Sequence, residues 1–193
     1  MVVRVEPITR EWALALADGD AAFEERFEIT VEANWSGFPE ALPILLEAAK
    51  ADSMSEWRPH LFFDSDGALV GNGGWKGPPQ GGVAELGYAV APSRQRRGIA
   101  TAAVRKFVER ARRAGLRAVC AHTLAEKNAS TKVLERCGFA RTAELIDPHE
   151  GPVWRWELQI SPEVSPYRGG DGPGPNERGR TTERHPEVQA AGE

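Results

Sequence analysis

Between residues 99 and 114 the apolar side chains Ile99, Ala103, Val104, Phe107, Val108 and Ala111 recur three and four positions apart, with charged residues between them. That spacing places them on one face of a helix. Gly115 follows where a left-handed C-cap belongs. Elsewhere the period changes. "VVRVEPI", "HLFFD", "ALVGNGGWKG", "VAELGYAV", "LRAVCAHTL", "FARTAELI" and "VWRWELQI" read as strands. "SDG" between the second and third is an Asp-Gly turn signal, so these two form a hairpin. "DPHEGP" joins the last two strands, and "GPPQGG" breaks the chain before the fourth. "REWALALADGDAAFEERF" predicts a helix interrupted near Gly19. "FPEALPILLEAAKAD" predicts a second helix from about Pro39, and "NASTKVLERC" a short one ended by Gly138. The order predicts one α/β (α+β) domain over residues 1–160. Its sheet is mixed and mostly antiparallel, flanked by helices, with a crossover helix after the strand that carries Tyr88.

Composition narrows the classes. The chain has 193 residues, enough for one domain with a proper core. Residues 161–193 are rich in Pro, Gly and charge and almost free of large apolar side chains, so this segment is expected to remain a disordered tail. A formal net charge of −4 disfavours general nucleic-acid binding and leaves room only for a local basic patch. Cys120 and Cys137 form no Cys-x-x-Cys pair, and His60, His122, His149 and His185 show no ligand spacing, so no metal is expected. No secretory core opens the chain, and no uncharged apolar run approaches the roughly 20 residues that span a bilayer. A cytoplasmic protein with reduced thiols, and no membrane partner, is the expectation.

The segment "GYAVAPSRQRRGIATAAVRKF", residues 87–107, raises the chemical question. A strand ends near Val90, and Gln95-Arg96-Arg97-Gly98-Ile99-Ala100 then enters the long helix. Free N–H groups at a helix start attract anions. Gly98 and Ala100 let a phosphate approach the backbone, and arginines add charge-assisted bonds. This suits a pyrophosphate. Neither a P-loop nor a Gly-x-Gly-x-x-Gly turn is present. Arg94, Arg96 and Arg97 read equally well as a solvated helix entrance. Arg105, Lys106, Arg110, Arg112 and Arg113 read as the solvent face of the helix, with a nucleic-acid face on residues 94–113 as the alternative.

Gln-x-x-Gly-x-Ala after a strand ending "GYAVAP" resembles the acetyl-coenzyme A motif of the GNAT acyltransferase superfamily. One strand later, "AEKNASTKVLERCGF" resembles the Asn-x-x-Ser…Leu-Glu-x-x-Gly-Phe segment of its ribosomal-protein-alanine N-acetyltransferase-like branch. The two segments stand in the order and at the separation of that superfamily, and the resemblance runs from about residue 60 to 158. It implies a splayed sheet that grips acetyl-CoA and transfers the acetyl group directly to an amine without a metal. Backbone near Ala89 and Val90 would bond the pantetheine arm. Gln95, Arg96, Arg97, Gly98, Ile99, Ala100 and Thr101 would hold the pyrophosphate. Asn128 and Ser130 would lie on the other side. Lys127 stands where the branch often has asparagine, so Asn128 is taken as the contacting amide.

Aminolysis of a thioester needs a base for the amine, a donor for the developing oxyanion and an acid for the leaving thiolate. Glu85, just before the strand end, is the candidate base; pairing with a basic neighbour is its structural alternative. Many members carry a tyrosine acid four residues before Gly-Phe, and here that position is Leu134. Ser130 is the nearest hydroxyl to propose as acid, with helix N-capping as its other reading. His122 reads as a core or satisfied polar histidine and Tyr88 as cleft floor or packing. Trp12, Trp35, Trp57 and Trp75 read mostly as core, with one or two able to shape an acceptor pocket. Glu11, Asp18, Asp20, Glu24, Glu25, Glu28 and Glu32 either welcome a cationic acceptor or form a solvated helix face. The expected function is N-acetyl transfer to an amine of a small molecule or a protein N-terminus, in a monomer or a homodimer. The alternatives are an acyl-CoA-binding regulator and a nucleic-acid-associated protein.

Overall fold

Seven strands lie in the order β1-β2-β3-β4-β5-β7-β6. The strands are β1 (Arg4–Pro7), β2 (His60–Phe63), β3 (Leu69–Trp75), β4 (Val83–Val90), β5 (Ala118–Leu124), β6 (Ala140–Asp147) and β7 (Gly151–Gln159). The helices are α1 (Arg10–Asp18), α2 (Asp20–Phe27), α3 (Ile99–Arg113) and α4 (Ala129–Arg136). This computed structural model describes residues 3–37, 43, 46, 47 and 57–160. The helix expected from about Pro39 lies almost wholly outside those residues, although Pro43, Leu46 and Glu47 are helical. The expected tail, 161–193, lies outside them too.

The short elements follow from local chemistry. Asp64 turns the β2–β3 hairpin: its Oδ1 accepts from the N–H of Asp66 (3.0 Å) and Ala68 (3.1 Å), and Gly67 takes φ 85°. Thr9 caps α1 by accepting from Trp12 N–H. Gly19, at φ 118° and ψ 162°, separates α1 from α2 where the sequence predicts a break. Gly115 ends α3 at φ 67°. All neighbouring strands run antiparallel except β4 and β5, the pair joined by the crossover helix α3.

Apolar side chains cover one face of the sheet and, over β2 and β3, part of the other. Against α3 and α4 pack Val70, Trp75, Ala84, Leu86, Val119, Ala121 and Trp156, with Phe107 of α3 at the centre. Against α1 and α2 pack Leu61, Phe63 and Leu69, with Phe23 and Trp35. The tryptophans belong to these layers. Trp12 meets Phe23, Phe27 and Phe63 edge-on, and Trp57 meets Trp75. The buried Trp35 donates its indole N–H to Asp20 Oδ1 at 3.0 Å. Among the described residues no helix is long and apolar enough to cross a membrane.

Candidate active site

The parallel ladder between β4 and β5 is short. It pairs Val83 with Ala118, Ala84 with Val119 and Glu85 with Cys120, and then ends. From Leu86 to Val90, β4 pairs only with β3, whereas β5 continues along β7 as far as Leu124. The two strands therefore part beyond Glu85 and Cys120. The edge of β4 that faces the gap presents backbone polar groups to whatever enters it.

Beyond the gap the chain turns into α3. Pro92–Arg94 form one 3-10 turn, and Gln95 Nε2 donates to Val90 O at 3.1 Å, folding that side chain back over the end of β4. Arg96 and Gly98 take left-handed backbone conformations, φ 59° and 78°. Glycine adopts that conformation without cost. No side chain caps α3, and its first helical bond is Ala102 N–H to Gly98 O. The N–H groups of Ile99, Ala100 and Thr101 therefore open the helix without intrahelical partners.

The arginines divide. Arg94 is not a solvated entrance residue. Its Nε donates to Glu32 Oε1 at 2.8 Å and its Nη1 to Asp64 Oδ2 at 2.9 Å, and its Nη2 also binds Glu32. Ser93 Oγ donates to the other oxygen of Glu32 at 2.6 Å. Arg94 thus ties the α3 entrance to the segment after α2 and to the β2–β3 turn, while Arg96 and Arg97 are exposed. On α3, Arg110 departs from the expected solvent face: it donates to Val5 O at 3.0 Å and lies against Phe107. Arg105 and Arg112 border a cavity of about 280 Å³ with Val108, Glu109, Arg136 and Cys137.

Across the gap, Asn128 rather than Ser130 caps α4. Asn128 Oδ1 accepts from Thr131 N–H at 3.1 Å, and Thr131 Oγ1 accepts from Asn128 N–H at 3.2 Å. This reciprocal box needs a side-chain acceptor three residues before its partner, which Asn128 satisfies and Ser130 does not. Ser130, in the first turn and half-buried, offers its carbonyl to Tyr88 Oη, which donates at 3.3 Å. That bond joins β4 to α4 across the gap. Burial pushes the Tyr88 phenol far above its ordinary range, so it stays protonated. Leu134 is fully buried packing.

Where β4 and β5 part, Glu85 Oε1 accepts from Lys76 Nζ at 2.8 Å and lies 2.9 Å from His122 Nδ1. Burial pushes the Glu85 carboxyl up, but the bonds from Lys76 and His122 outweigh it and hold the carboxyl below its usual range. His122, expected as a core or satisfied polar histidine, has its polar partner in the candidate base. Alternation along β5 is the signal that points to it: Val119 and Ala121 face the α3 layer, so Cys120 and His122 face away with Glu85. Burial raises the Cys120 and Cys137 thiols, so neither is a ready nucleophile. Of the acidic residues between α1 and β2, Asp20 holds Trp35, Glu24 accepts from Val31 N–H at 2.7 Å, and Glu32 holds Arg94 and Ser93.

Known proteins share this layout. Residues 7–140 match the family model described as an acetyltransferase (GNAT) domain. No curated protein matches the sequence. Among solved structures, the ribosomal-protein-S5-alanine acetyltransferase from Vibrio fischeri is similar at 17% identity and TM-score 0.59, over 85% of this chain and 96% of that one. Mutant forms of the spermidine/spermine N-acetyltransferase SpeG from Vibrio cholerae are similar at 16% identity and TM-score 0.60, over 82% of this chain and 95% of that one. Mycobacterium smegmatis RimJ, in complex with CoA-disulfide, is similar at 23% identity and TM-score 0.57, over 82% of each chain. With a seven-stranded sheet that opens between β4 and β5 and a family model spanning most of the domain, the chain belongs to the GNAT acetyltransferases and is an acyltransferase.

Proposed function

We propose that the protein moves an acetyl group from acetyl-CoA directly to an amine, on a small molecule or at a protein N-terminus. The observation that carries this reading is the parting of β4 from β5 after Glu85 and Cys120, next to a helix whose first turn is uncapped. The open edge of β4 at Ala89 and Val90 suits the amide-bearing pantetheine arm, an extended chain that can add to a strand. The backbone of Gln95, Arg96, Arg97, Gly98, Ile99, Ala100 and Thr101 suits a pyrophosphate, with the exposed Arg96 and Arg97 adding charge. On the far side of the gap lie Asn128 and Ser130. Asn128 Nδ2 bonds to no described residue, since only its Oδ1 is used in the cap.

Acetyl-CoA supplies the activated acyl group. Glu85 marks the end of the gap where a proton must leave the amine. A backbone N–H on the open edge of β4 meets the oxyanion. Ser130 and the neutral Tyr88 phenol are the hydroxyls on the side of α4, where a leaving thiolate takes a proton.

The spermidine and ribosomal-protein acetyltransferases named above define two acceptor classes. Asp20, Glu24 and Glu32 are occupied by Trp35, Val31, Arg94 and Ser93, whereas Glu11, Asp18, Glu25 and Glu28 are exposed, so a polycation and a peptide N-terminus both enter the test. A nucleic-acid face on residues 94–113 loses Arg94 and Arg110 to internal contacts. The test is incubation of the full chain with acetyl-CoA and either an N-terminal-alanine peptide or spermidine, with acetylated product read by mass spectrometry. Product from the peptide supports the reading. Binding of acetyl-CoA with no transfer to any amine would instead favour a regulator.

A further inference from the structure

The face of the sheet opposite α3 carries a polar group that the two sequence motifs do not name. Lys76 follows β3, Glu85 lies on β4, Cys120 and His122 on β5, and Arg155 and Glu157 on β7. Register places Glu85 beside Cys120, His122 beside Arg155, and Cys120 beside Glu157. Lys76 N–H also donates to Glu85 O at 2.9 Å, which fixes that residue at the last pair before the strands part.

We infer that His122 takes the proton from the acceptor amine through Nε2, with Glu85 as the positioning residue that holds the ring; the inference rests on the acetyl-transfer reading of the gap. Three observations carry it. First, one oxygen of Glu85 already meets both Lys76 Nζ and His122 Nδ1, at 2.8 and 2.9 Å. Held by two donors, the carboxylate is a weak base toward an ammonium. Second, an ionised carboxylate only accepts, so the shared hydrogen sits on His122 Nδ1 and the lone pair on Nε2. Third, Nε2 bonds to no described residue, and the His122 side chain is 20% exposed, so an acceptor can reach it. The charged groups that face the ring are Glu85, Lys76, Arg155 and Glu157. Arg155 is bonded to Glu157 at 3.0 Å, and Lys76 to Glu85. Among the described residues, Glu85 is thus the one anion in contact with the ring.

The step balances without another reactant. The ammonium of the acceptor loses one proton to His122 Nε2. Its nitrogen lone pair forms the C–N bond to the thioester carbonyl carbon. The C–S bond breaks with its electron pair on sulfur, and sulfur takes the second nitrogen proton. The imidazolium returns its proton to water. The products are the amide, the free thiol of CoA and one proton.

The experiment uses the full chain, acetyl-CoA and an N-terminal-alanine peptide, with release of CoA thiol as the rate and calorimetry for acetyl-CoA binding. His122→Gln is expected to lower kcat by about 100-fold or more, the scale of general-base catalysis, with acetyl-CoA affinity and melting temperature held. His122→Gly is expected to regain turnover when imidazole is added, which a structural role would not produce. Long-range proton–nitrogen NMR of the wild type, which needs no acceptor, is expected to show hydrogen on Nδ1 of His122, and Glu85→Gln to abolish that preference. Wild-type kcat in His122→Gln, or hydrogen fixed on Nε2, overturns the inference while leaving acetyl transfer standing. A wild type that binds no acetyl-CoA overturns the acetyl-transfer reading itself, and the inference with it.

Discussion

His60 offers a quantitative check of the fold through pH. It lies on β2, only 3% exposed, with its ring edge-on to Phe107 at 5.1 Å and its Nδ1 without a partner among the described residues. Burial, then the charge of Arg110, drives its pKa from 6.5 down to about 3, with a bond to the Arg58 backbone opposing them. The folded state thus refuses a proton that the unfolded chain accepts. The stability this confers is complete above pH 6.5 and is lost as pH falls from there toward 3. At pH 5 the unfolded imidazole is almost fully charged and the folded one neutral. That pH lies about 1.5 units below the ordinary value, which corresponds to about 2 kcal/mol. His60→Phe retains an aromatic edge against Phe107 and removes the titration. Urea unfolding of both proteins at pH 8 and pH 5 isolates the effect, because the lowered carboxylates Glu32, Glu85 and Asp147 are common to both. The wild type is expected to lose about 2 kcal/mol more than the variant between those pH values. Equal losses would refute the argument that His60 is buried neutral.

Other substitutions probe the gap and its supports. Tyr88→Phe removes the bond to Ser130 O across the gap and is expected to cost about 1 kcal/mol in urea unfolding, with weaker acetyl-CoA binding; unchanged values in both assays would show that the bond does not brace the site. Gly73→Ala would bring a Cβ to 2.7 Å from Gly87 O and from Phe62, and 2.9 Å from Tyr88 Cβ. Its expected cost is about 1–3 kcal/mol of overpacking, and wild-type stability would contradict the β3–β4 spacing. Arg94→Met frees Glu32 and Asp64 and is expected to reduce acetyl-CoA affinity more than melting temperature, since it unties the α3 entrance rather than the core. A wild-type Kd would show that the entrance holds its shape alone.

What the chain reveals at first reading is what local periodicity controls. The apolar stripe of α3, the Asp-Gly hairpin and the left-handed Gly115 are all legible because each depends on neighbours within a few residues. The cap of α4 is legible in principle, since Asn128 stands three residues before Thr131, but Ser130 sits two positions away and has equal propensity. Arg94 reads as part of a basic entrance because Glu32 and Asp64, its partners, are 62 and 30 positions distant. Arg110 stands seven positions after Ala103 and three after Phe107, at the edge of the apolar stripe of α3, so its spacing hints at an inward place, but only the placement of β1 brings Val5 O to it. His122 escapes a reading of the chain for the same kind of reason. Its alternation shows which neighbours share its face, but that Glu85 lies on the adjacent strand follows from the parallel β4–β5 pairing, which periodicity does not encode.

The central claim, that the gap and the α3 entrance hold acetyl-CoA, is tested most directly by calorimetric titration of the full chain and of Gly98→Glu. Both proteins must first show the same circular dichroism, because a left-handed non-glycine residue costs roughly 1–2 kcal/mol. Wild-type binding on the order of micromolar is expected, with a loss of about 100-fold or more in the variant, from a side chain and a negative charge set against the pyrophosphate. Equal affinity in the two proteins, or no binding by the wild type, would contradict the claim.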